Sequence, residues 1–574
     1  MYLFANIRNA FLMTRGLLRF MLDEKRRGTL KTNFQSMKKT KEIAEDMSWA
    51  ELVEEKARIY GDRVFLFFED KEFTFRQMDE NANRIANFLL SLGGGRGKGV
   101  AIMMGNCPQY LDVYIGSQKI GMYSIPTNTS LRGDSLLYIL NHSDAEFLVI
   151  DEEFQDVYDK IADRIEKIKH VIVNRTDGTG SSPLIRGRHA LSSAYGHSPK
   201  KPAGGYNKED ICFILYTSGT TGLPKGVMYR YGKSSVKFLS IPSYTLYKKS
   251  DILYTCLPLF HGNALWLCVT LGLHRGAQVA LAKKFSASRF WDDIRKYNVT
   301  AFNTIGAMIP ILMKQPPNEN DRDNRVRFTF SAACPADDWE KFEKRFGITI
   351  YEGYGAVDGG GKSIMNLRNA PVGSIGKPSP GVVYRLVDRD GNDVLVGTPG
   401  ELIFESKGER KSVEYFKNEK ASSNKVRNGW IYTGDLVRRD SKGYLYFVGR
   451  NAEFMRIKGE NVSAYEVEHA IQKHPSVVEA AVYAVPSDLA EDEIMACISV
   501  VEGHSLNEAD LVGFLKENLA KFAVPRYVKI VKEFPKTETQ RIIKKELEKI
   551  GITPGTYDAQ NKAYVQAPMA SCDK

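Results

Sequence analysis

The chain has 574 residues, 43% hydrophobic and 26% charged, which excludes a disordered or collagenous polymer and leaves a globular protein of more than one domain. Its formal net charge is +11, yet residues 1–41 hold ten Lys/Arg against Asp23 and Glu24, so the excess sits mainly at the start of the chain; no basic, aromatic-interleaved pattern points to nucleic acid. Seven widely spaced cysteines, with no Cys-x-x-Cys and no histidine at zinc spacing, read as reduced intracellular thiols without a structural metal.

Residues 1–45 form a basic amphipathic arm. On a helical wheel Arg8, Arg15 and Arg19 share one stripe, while Phe4, Ile7, Phe11, Leu17, Leu18 and Met21 cover much of the rest. Such a helix suits an anionic membrane surface, and it suits equally a docking helix packed on the protein's own body. The arginines interrupt any run long enough to span a bilayer, and no uninterrupted apolar stretch precedes a cleavage site. The expected location is cytoplasmic, with peripheral contact at the inner face of a membrane through residues 1–41 as an open alternative.

Trp49 to Leu92 carries helical periodicity around a β-like stretch, Val64 to Phe68. Apolar runs at Gly99 to Met104 and Glu146 to Ile150, separated by helical stretches, predict a parallel-sheet α/β architecture. Residues 176–207 read as a surface excursion, 372–448 as a small β subdomain with turns at Asp390-Gly391 and Lys442-Gly443, and the region from about 450 as a compact α+β domain with strands at Ala480 to Val485 and Ala496 to Val501.

Tyr216 to Gly226 reads Tyr-Thr-Ser-Gly-Thr-Thr-Gly-Leu-Pro-Lys-Gly and follows the apolar run Ile211 to Tyr216, a buried-strand signature. A loop leaving a strand is a common seat for polyphosphate. Gly219 and Gly222 let the backbone approach a ligand closely, Thr217, Ser218, Thr220 and Thr221 supply hydroxyls, and Lys225 supplies positive charge. The same composition also makes a plain surface turn. The loop is not the P-loop of ordinary NTPases, because Pro224 precedes Lys225 and Gly226 follows it.

The loop resembles the phosphate loop of the acyl-adenylate-forming superfamily, and the likeness extends from about residue 48 to 548. Within the superfamily the chain is most similar to fatty-acid-transport-type and very-long-chain acyl-CoA synthetases and to carnitine/crotonobetaine-CoA ligases, through Asn128 to Asp134, Leu257-Pro-Leu-Phe-His261 and Lys458 to Ser463. The resemblance implies an adenylation domain over 46–449, made of parallel-sheet α/β subdomains and a small β subdomain. A small mobile α+β domain would follow over 450–574, with its hinge at Ala452. In Tyr351 to Asp358 it implies that Tyr354 and Gly355 border adenine and that Asp358 helps hold magnesium between ATP phosphates. Val357 lacks the family's threonine hydroxyl there, and Asp358 is one methylene shorter than the usual glutamate.

Asp435, in Trp430 to Asp435, would accept from both ribose hydroxyls, having two acceptor oxygens and no donor. Arg450 would reach the nucleotide, and Lys458, Gly459, Glu460 and Asn461 would face the thioester-forming site. Arg541 stands where the family places the lysine that bridges substrate carboxylate and α-phosphate; it keeps the charge in a planar fork, and Lys544 is a candidate substitute. His261, the apolar run Leu265 to Leu271, and Gly359, Gly360 and Gly361 would border the acyl pocket, although a plain core role suits the apolar run equally.

The implied function is an ATP-dependent acyl-CoA ligase for a medium to very-long-chain fatty acid, using ATP, Mg2+ and CoA and releasing AMP and pyrophosphate. The alternatives are a ligase for carnitine-like, aromatic or steroid acids, and a weakly catalytic or non-catalytic fatty-acid-binding or transport protein on the same fold. Homodimerisation stays open.

Overall fold

The computed structural model describes residues 47–175, 187–217, 224–233, 236–306, 308–379, 381–406, 413–450, 454–457, 460–486, 492–519, 521–537 and 541–566. The basic arm, Ser218, Gly219, Thr220, Thr221, Gly222, Ala452, Lys458 and Gly459 lie outside the described residues, and for Glu460 and Asn461 only the backbone is described. The chain divides into two compact units, one comprising Met1–Val383 with Phe404–Ile431 and the other Tyr384–Ile403 with Tyr432–Lys574.

The first unit is built on two large sheets. In one, the order is Arg188–Ala190, His170–Asn174, Ala145–Asp151, Gly99–Met103, Tyr123–Pro126, Ile211–Thr217 and Lys225–Arg230. All neighbours are parallel except the last pair, which is antiparallel. In the other, six parallel strands, Thr349–Gly355, Phe328–Ala332, Ala301–Ile305, Ile252–Thr255, Gln278–Leu281 and Val64–Phe68, are flanked by antiparallel edge strands. The expected parallel-sheet α/β architecture is therefore present.

Local sequence explains the helices that cover these sheets. Trp49–Tyr60 starts at a capping box between Ser48 and Glu51, and Phe75–Ser91 at one between Thr74 and Gln77, each satisfying two otherwise unpaired backbone donors. Pro108–Lys119 is buried over nearly its whole surface, a helix enclosed by protein on all sides. Its Lys119 ammonium is buried with it and held by Glu54 at 2.9 Å and Asp79 at 2.7 Å.

Between the helices at either end of Trp49 to Leu92 the chain forms a hairpin, Val64–Phe68 with Lys71–Thr74. Only its first strand is legible in the apolar pattern, because the second is largely exposed. Among the described residues no helix is long and apolar enough to cross a membrane.

The second unit is smaller. It contains most of a sheet formed by Tyr384–Val387, Pro399–Glu405, Trp430–Arg439 and Leu445–Arg450, and an antiparallel hairpin, Phe454–Ile457 with Glu460–Ser463. A second sheet follows the order Val477–Pro486, Asp492–Val500, Tyr527–Ile530, Tyr557–Asp558 and Ala563–Tyr564. Val467, Ile471, Val482, Ile494, Ile498, Leu511 and Val528 form the core between that sheet and its helices. The expected strands at Ala480 to Val485 and Ala496 to Val501 are the inner parts of the longer pair Val477–Pro486 and Asp492–Val500. Six described cysteines, 107, 212, 256, 268, 334 and 497, are unbridged and buried, and burial pushes each thiol pKa up.

Gly226 follows Lys225 at the start of the last strand of the first sheet. It pairs with Tyr216 across the antiparallel strands, and a Cβ there would lie 2.7 Å from Ile214 Cγ2 and 3.1 Å from the Tyr216 ring. Gly226→Ala is expected to force the strands apart and to destabilise the protein by roughly 1–3 kcal/mol, as overpacked cores do. A thermal melt showing no loss would remove this close approach as the reason for the glycine.

Candidate active site

The two ends of the Thr/Gly-rich stretch, Thr217 and Lys225, are fixed by backbone pairing. Thr217 and Lys225 lie directly opposite one another, so both ends of the loop are held side by side, and the Thr217 hydroxyl donates to the Lys225 carbonyl at 3.4 Å. On the other side of Lys225–Arg230 runs the segment Glu414 to Phe416. Met228 N–H donates to Glu414 O at 2.9 Å and Phe416 N–H to Gly226 O at 2.8 Å, with an antiparallel bridge between Val227 and Tyr415. This brings the Tyr415 ring beside Lys225, whose Nζ is 5.6 Å from the ring centroid, within cation–π range.

Tyr415 also links Lys225 to the next motif. Its hydroxyl donates to Asp358 Oδ2 at 2.6 Å, and the same oxygen lies 2.8 Å from Lys425 Nζ. Val357, which precedes Asp358, accepts from the Tyr229 hydroxyl through its carbonyl. Lys425 ends the helix Glu419–Lys425, which begins with Asn418 accepting from Ala421 N–H at 2.9 Å. Burial pushes the Asp358 carboxyl pKa up, but the Lys425 charge and the hydrogen bonds from Lys425 and Tyr415 outweigh it and leave the group below the usual carboxylate range. Lys225 and Asp358 thus meet around Tyr415, as do Tyr229 and Lys425. No motif marks Tyr415, Tyr229 or Lys425, because their roles arise from strand and helix packing between distant stretches of chain.

Tyr354 and Gly355 end the strand Thr349–Gly355 and pair with Ile364 and Ser363. Two residues earlier the buried Glu352 accepts from Ala333 N–H at 2.5 Å and Cys334 N–H at 3.0 Å. It pins a turn in which Ala333 has φ 69°, a left-handed conformation uncommon for a residue with a side chain. That turn leaves the carboxyl end of the parallel strand Phe328–Ala332, the end where open α/β sheets bind ligands. Burial pushes the Glu352 carboxyl up to about 8, against the opposing pull of the two backbone donors. Its position two residues after Ile350, on the same buried face of the strand, is the signal that could have found it. Gly360 and Gly361 have φ of 62° and 73° in the connection to Ser363–Asn366, so backbone conformation alone calls for glycine at both. Gly359 N–H donates to Ala356 O at 3.0 Å in the same turn.

His261 caps a short helix that continues into one π-helical segment, Leu265–Thr270. Tyr114, Phe213, Leu259, Phe260, His261 and Trp266, with other apolar residues, close around a narrow space there that has no room for a water molecule. Most of the run Leu265 to Leu271 is core, with Trp266 and Leu267 partly exposed. His261 Nε2 is sealed from solvent without a hydrogen-bond partner, and burial lowers its pKa to about 4, so the imidazole is neutral near pH 7.

In the second unit Asp435 is buried and lies opposite Arg450, whose Nε is 3.4 Å from Asp435 Oδ1. The part of the strand before it is held by Thr433 Oγ1, which donates to Leu402 O at 2.6 Å, and by Gly434 N–H, which donates to Glu401 at 2.9 Å. Arg541 is exposed, and its carbonyl accepts from Thr537 N–H at 2.8 Å. Lys544 Nζ lies 2.6 Å from Glu468, whose carboxylate also accepts from Val482 N–H at 2.8 Å, so Lys544 fastens its helix to the domain core.

The two parallel-rich sheets of the first unit and the smaller second unit define an α/β protein. The chain belongs to the AMP-binding enzyme family of the acyl-adenylate-forming superfamily: the model of that family matches residues 53–409, and the model of the AMP-binding enzyme C-terminal domain matches residues 466–541. It is 30% identical over 523 residues to the crotonobetaine/carnitine–CoA ligase of Salmonella paratyphi C, an alignment covering 86% of this chain and 97% of the relative. Among solved structures it is similar to the anthranilate CoA ligase AuaEII in complex with anthranoyl-AMP, with TM-score 0.78 and 25% identity over 89% of this chain and 98% of that one. The fold is shared with a benzoate CoA ligase from Burkholderia xenovorans, with TM-score 0.75 and 23% identity over 88% of this chain and 100% of that one. A Mycobacterium tuberculosis fatty acyl CoA synthetase shares it with TM-score 0.63 and 24% identity, over 87% of this chain and 97% of that one.

The Glu352 carboxyl provides a test of how the turn beside Tyr354 is held. Its folded pKa of about 8 lies above the ordinary value of 4.5, so its stabilisation is complete below about pH 4.5 and is lost as pH rises towards 8. Melting temperature is expected to decline over that window, and Glu352→Gln is expected to flatten the decline while lowering stability by about 1–3 kcal/mol through loss of one backbone acceptor. An identical pH profile in the variant would contradict the protonation state assigned to Glu352.

Proposed function

We propose that this protein is an ATP-dependent acyl-CoA ligase that converts a carboxylic acid to acyl-AMP and transfers the acyl group to CoA, releasing pyrophosphate and AMP. The observation that carries the reading is the convergence of Lys225 and Asp358 on Tyr415 at the mouth of the phosphate loop. Substrate carboxylate attacks the α-phosphate of ATP, and the Thr/Gly-rich stretch from Thr217 to Lys225 is assigned to supply donors and charge to the departing pyrophosphate.

Asp358 is a hard oxygen ligand, and among the described residues no cluster of three or more His, Cys, Asp or Glu could hold a metal unaided. A single carboxylate completed by substrate phosphates is the usual setting for Mg2+, which would supply charge neutralisation at the phosphates when bound. Tyr354 and Gly355 are assigned to adenine and Asp435 to the ribose diol, with Arg450 holding the Asp435 carboxylate in place.

Arg541 is assigned to the substrate carboxylate and α-phosphate, because the Lys544 ammonium is engaged by Glu468. Ala452 is assigned as the hinge and Lys458 to Asn461 as the thioester side. After adenylation, the CoA thiolate attacks the mixed anhydride and AMP leaves.

We assign a medium to very-long-chain fatty acid as the acid, with the closely packed, uncharged apolar residues near His261 as the wall its body would meet. The rings of Tyr114, Phe213, Phe260 and Trp266 favour an aromatic acid as the second reading.

Incubation with ATP, Mg2+ and CoA across short to very-long-chain, aromatic, carnitine-like and steroid acids is expected to yield AMP and thioester in equal amounts with one class. ATP binding without product from any acid would support the binding or transport alternative. Lys225→Ala is expected to reduce pyrophosphate release by on the order of 100-fold, the scale of losing one charge-stabilising donor. Asp435→Ala is expected to weaken ATP use sharply, and unchanged turnover would remove the ribose assignment.

A further inference from the structure

Lys425 is unused in the chemistry above, yet its side chain is only 11% exposed and its ammonium lies 2.8 Å from the Asp358 oxygen that also accepts from Tyr415. It is delivered there by a capped helix and by the pairing of the next two residues, Val426 with Ile431 and Arg427 with Trp430. An ammonium held against a largely buried carboxylate is a cation on the oxygen that a divalent metal would use.

We propose that Lys425 is the resident counter-cation of Asp358, a positioning residue that neutralises this carboxylate towards the incoming triphosphate and gives way to the divalent metal. The inference rests on the assignment of Asp358 to the metal side of ATP. Without Lys425, the Asp358 charge would face the phosphates in a poorly solvated site, where like charges repel strongly. Metal removes the same charge, so ammonium and metal are alternative partners whose effects on ATP binding are coupled.

The experiment is a calorimetric titration of ATP into the full chain without acid or CoA, in EDTA and again in saturating Mg2+, with Mn2+ affinity read separately by electron paramagnetic resonance. Lys425→Met is expected to weaken ATP binding by about tenfold in EDTA and to leave it nearly unchanged in Mg2+, while Mn2+ binds more tightly by about the same factor. Lys425→Arg is expected to retain most of the wild-type behaviour in EDTA. Asp358→Asn/Lys425→Met carries no lone buried charge and keeps the test available if the single variant folds poorly. Its ATP affinity in EDTA is expected to return towards wild type.

Equal changes in EDTA and Mg2+, or no change in either, would overturn the role of Lys425. A single Asp358→Asn variant with wild-type metal dependence would overturn the metal-side assignment, and the inference with it. Failure of the wild type to bind ATP under both conditions would overturn the ligase reading itself.

Discussion

The site depends on one piece of backbone pairing, in which the segment Glu414 to Phe416 lies along the strand Lys225–Arg230. Without it Lys225 would keep its pairing with Thr217 but would have no aromatic ring beside its ammonium. With it, a stretch nearly two hundred residues away in sequence supplies the Tyr415 ring beside the Lys225 ammonium and the Tyr415 hydroxyl on Asp358. Gly226 makes this possible by letting the strand lie close to Ile214 on its inner side while Phe416 bonds to its carbonyl. The geometry is therefore set by main-chain hydrogen bonds, which hold position better than long side chains reaching across solvent.

The charges around that pairing are balanced rather than simply accumulated. A cluster built only from cations would repel itself, and a bare carboxylate in a poorly solvated place would carry an uncompensated charge. Asp358 lies between those limits, buried enough for its neighbours to matter and contacted by one hydroxyl and one ammonium. Glu352 shows the opposite choice a few residues earlier, where burial dominates and the carboxyl serves the backbone of Ala333 and Cys334. Two acids in one short stretch thus have different electrical characters because their surroundings differ.

Much of the architecture was legible in the sequence because it rests on local patterns. The apolar runs at Gly99 to Met104 and Ile211 to Tyr216 predicted buried strands, and the strands are there. Lys71–Thr74 escaped notice because an exposed edge strand carries no alternation. In the site, the loop motif pointed to Lys225 and the following aromatic-glycine stretch to Asp358. Tyr415 and Lys425 were hidden, since their neighbours in space are remote in sequence and neither lies in a distinctive pattern. The sequence also left Lys544 available as a substitute cation, whereas the fold ties it to Glu468, a contact between two helices that no linear motif encodes.

The burial of the six described thiols has a practical side as well. A protein thiol reacts through its thiolate, and desolvation suppresses that form while packing denies access to reagents and disulfides. A folded protein with such cysteines can work beside millimolar sulfhydryl compounds without forming mixed disulfides at those positions. For a catalyst whose second substrate is itself a thiol, this separates the sulfur that takes part in turnover from the sulfur that only fills space. Colorimetric counting of free sulfhydryl groups in such a reaction would then follow the small molecule, with these six positions silent until the protein unfolds.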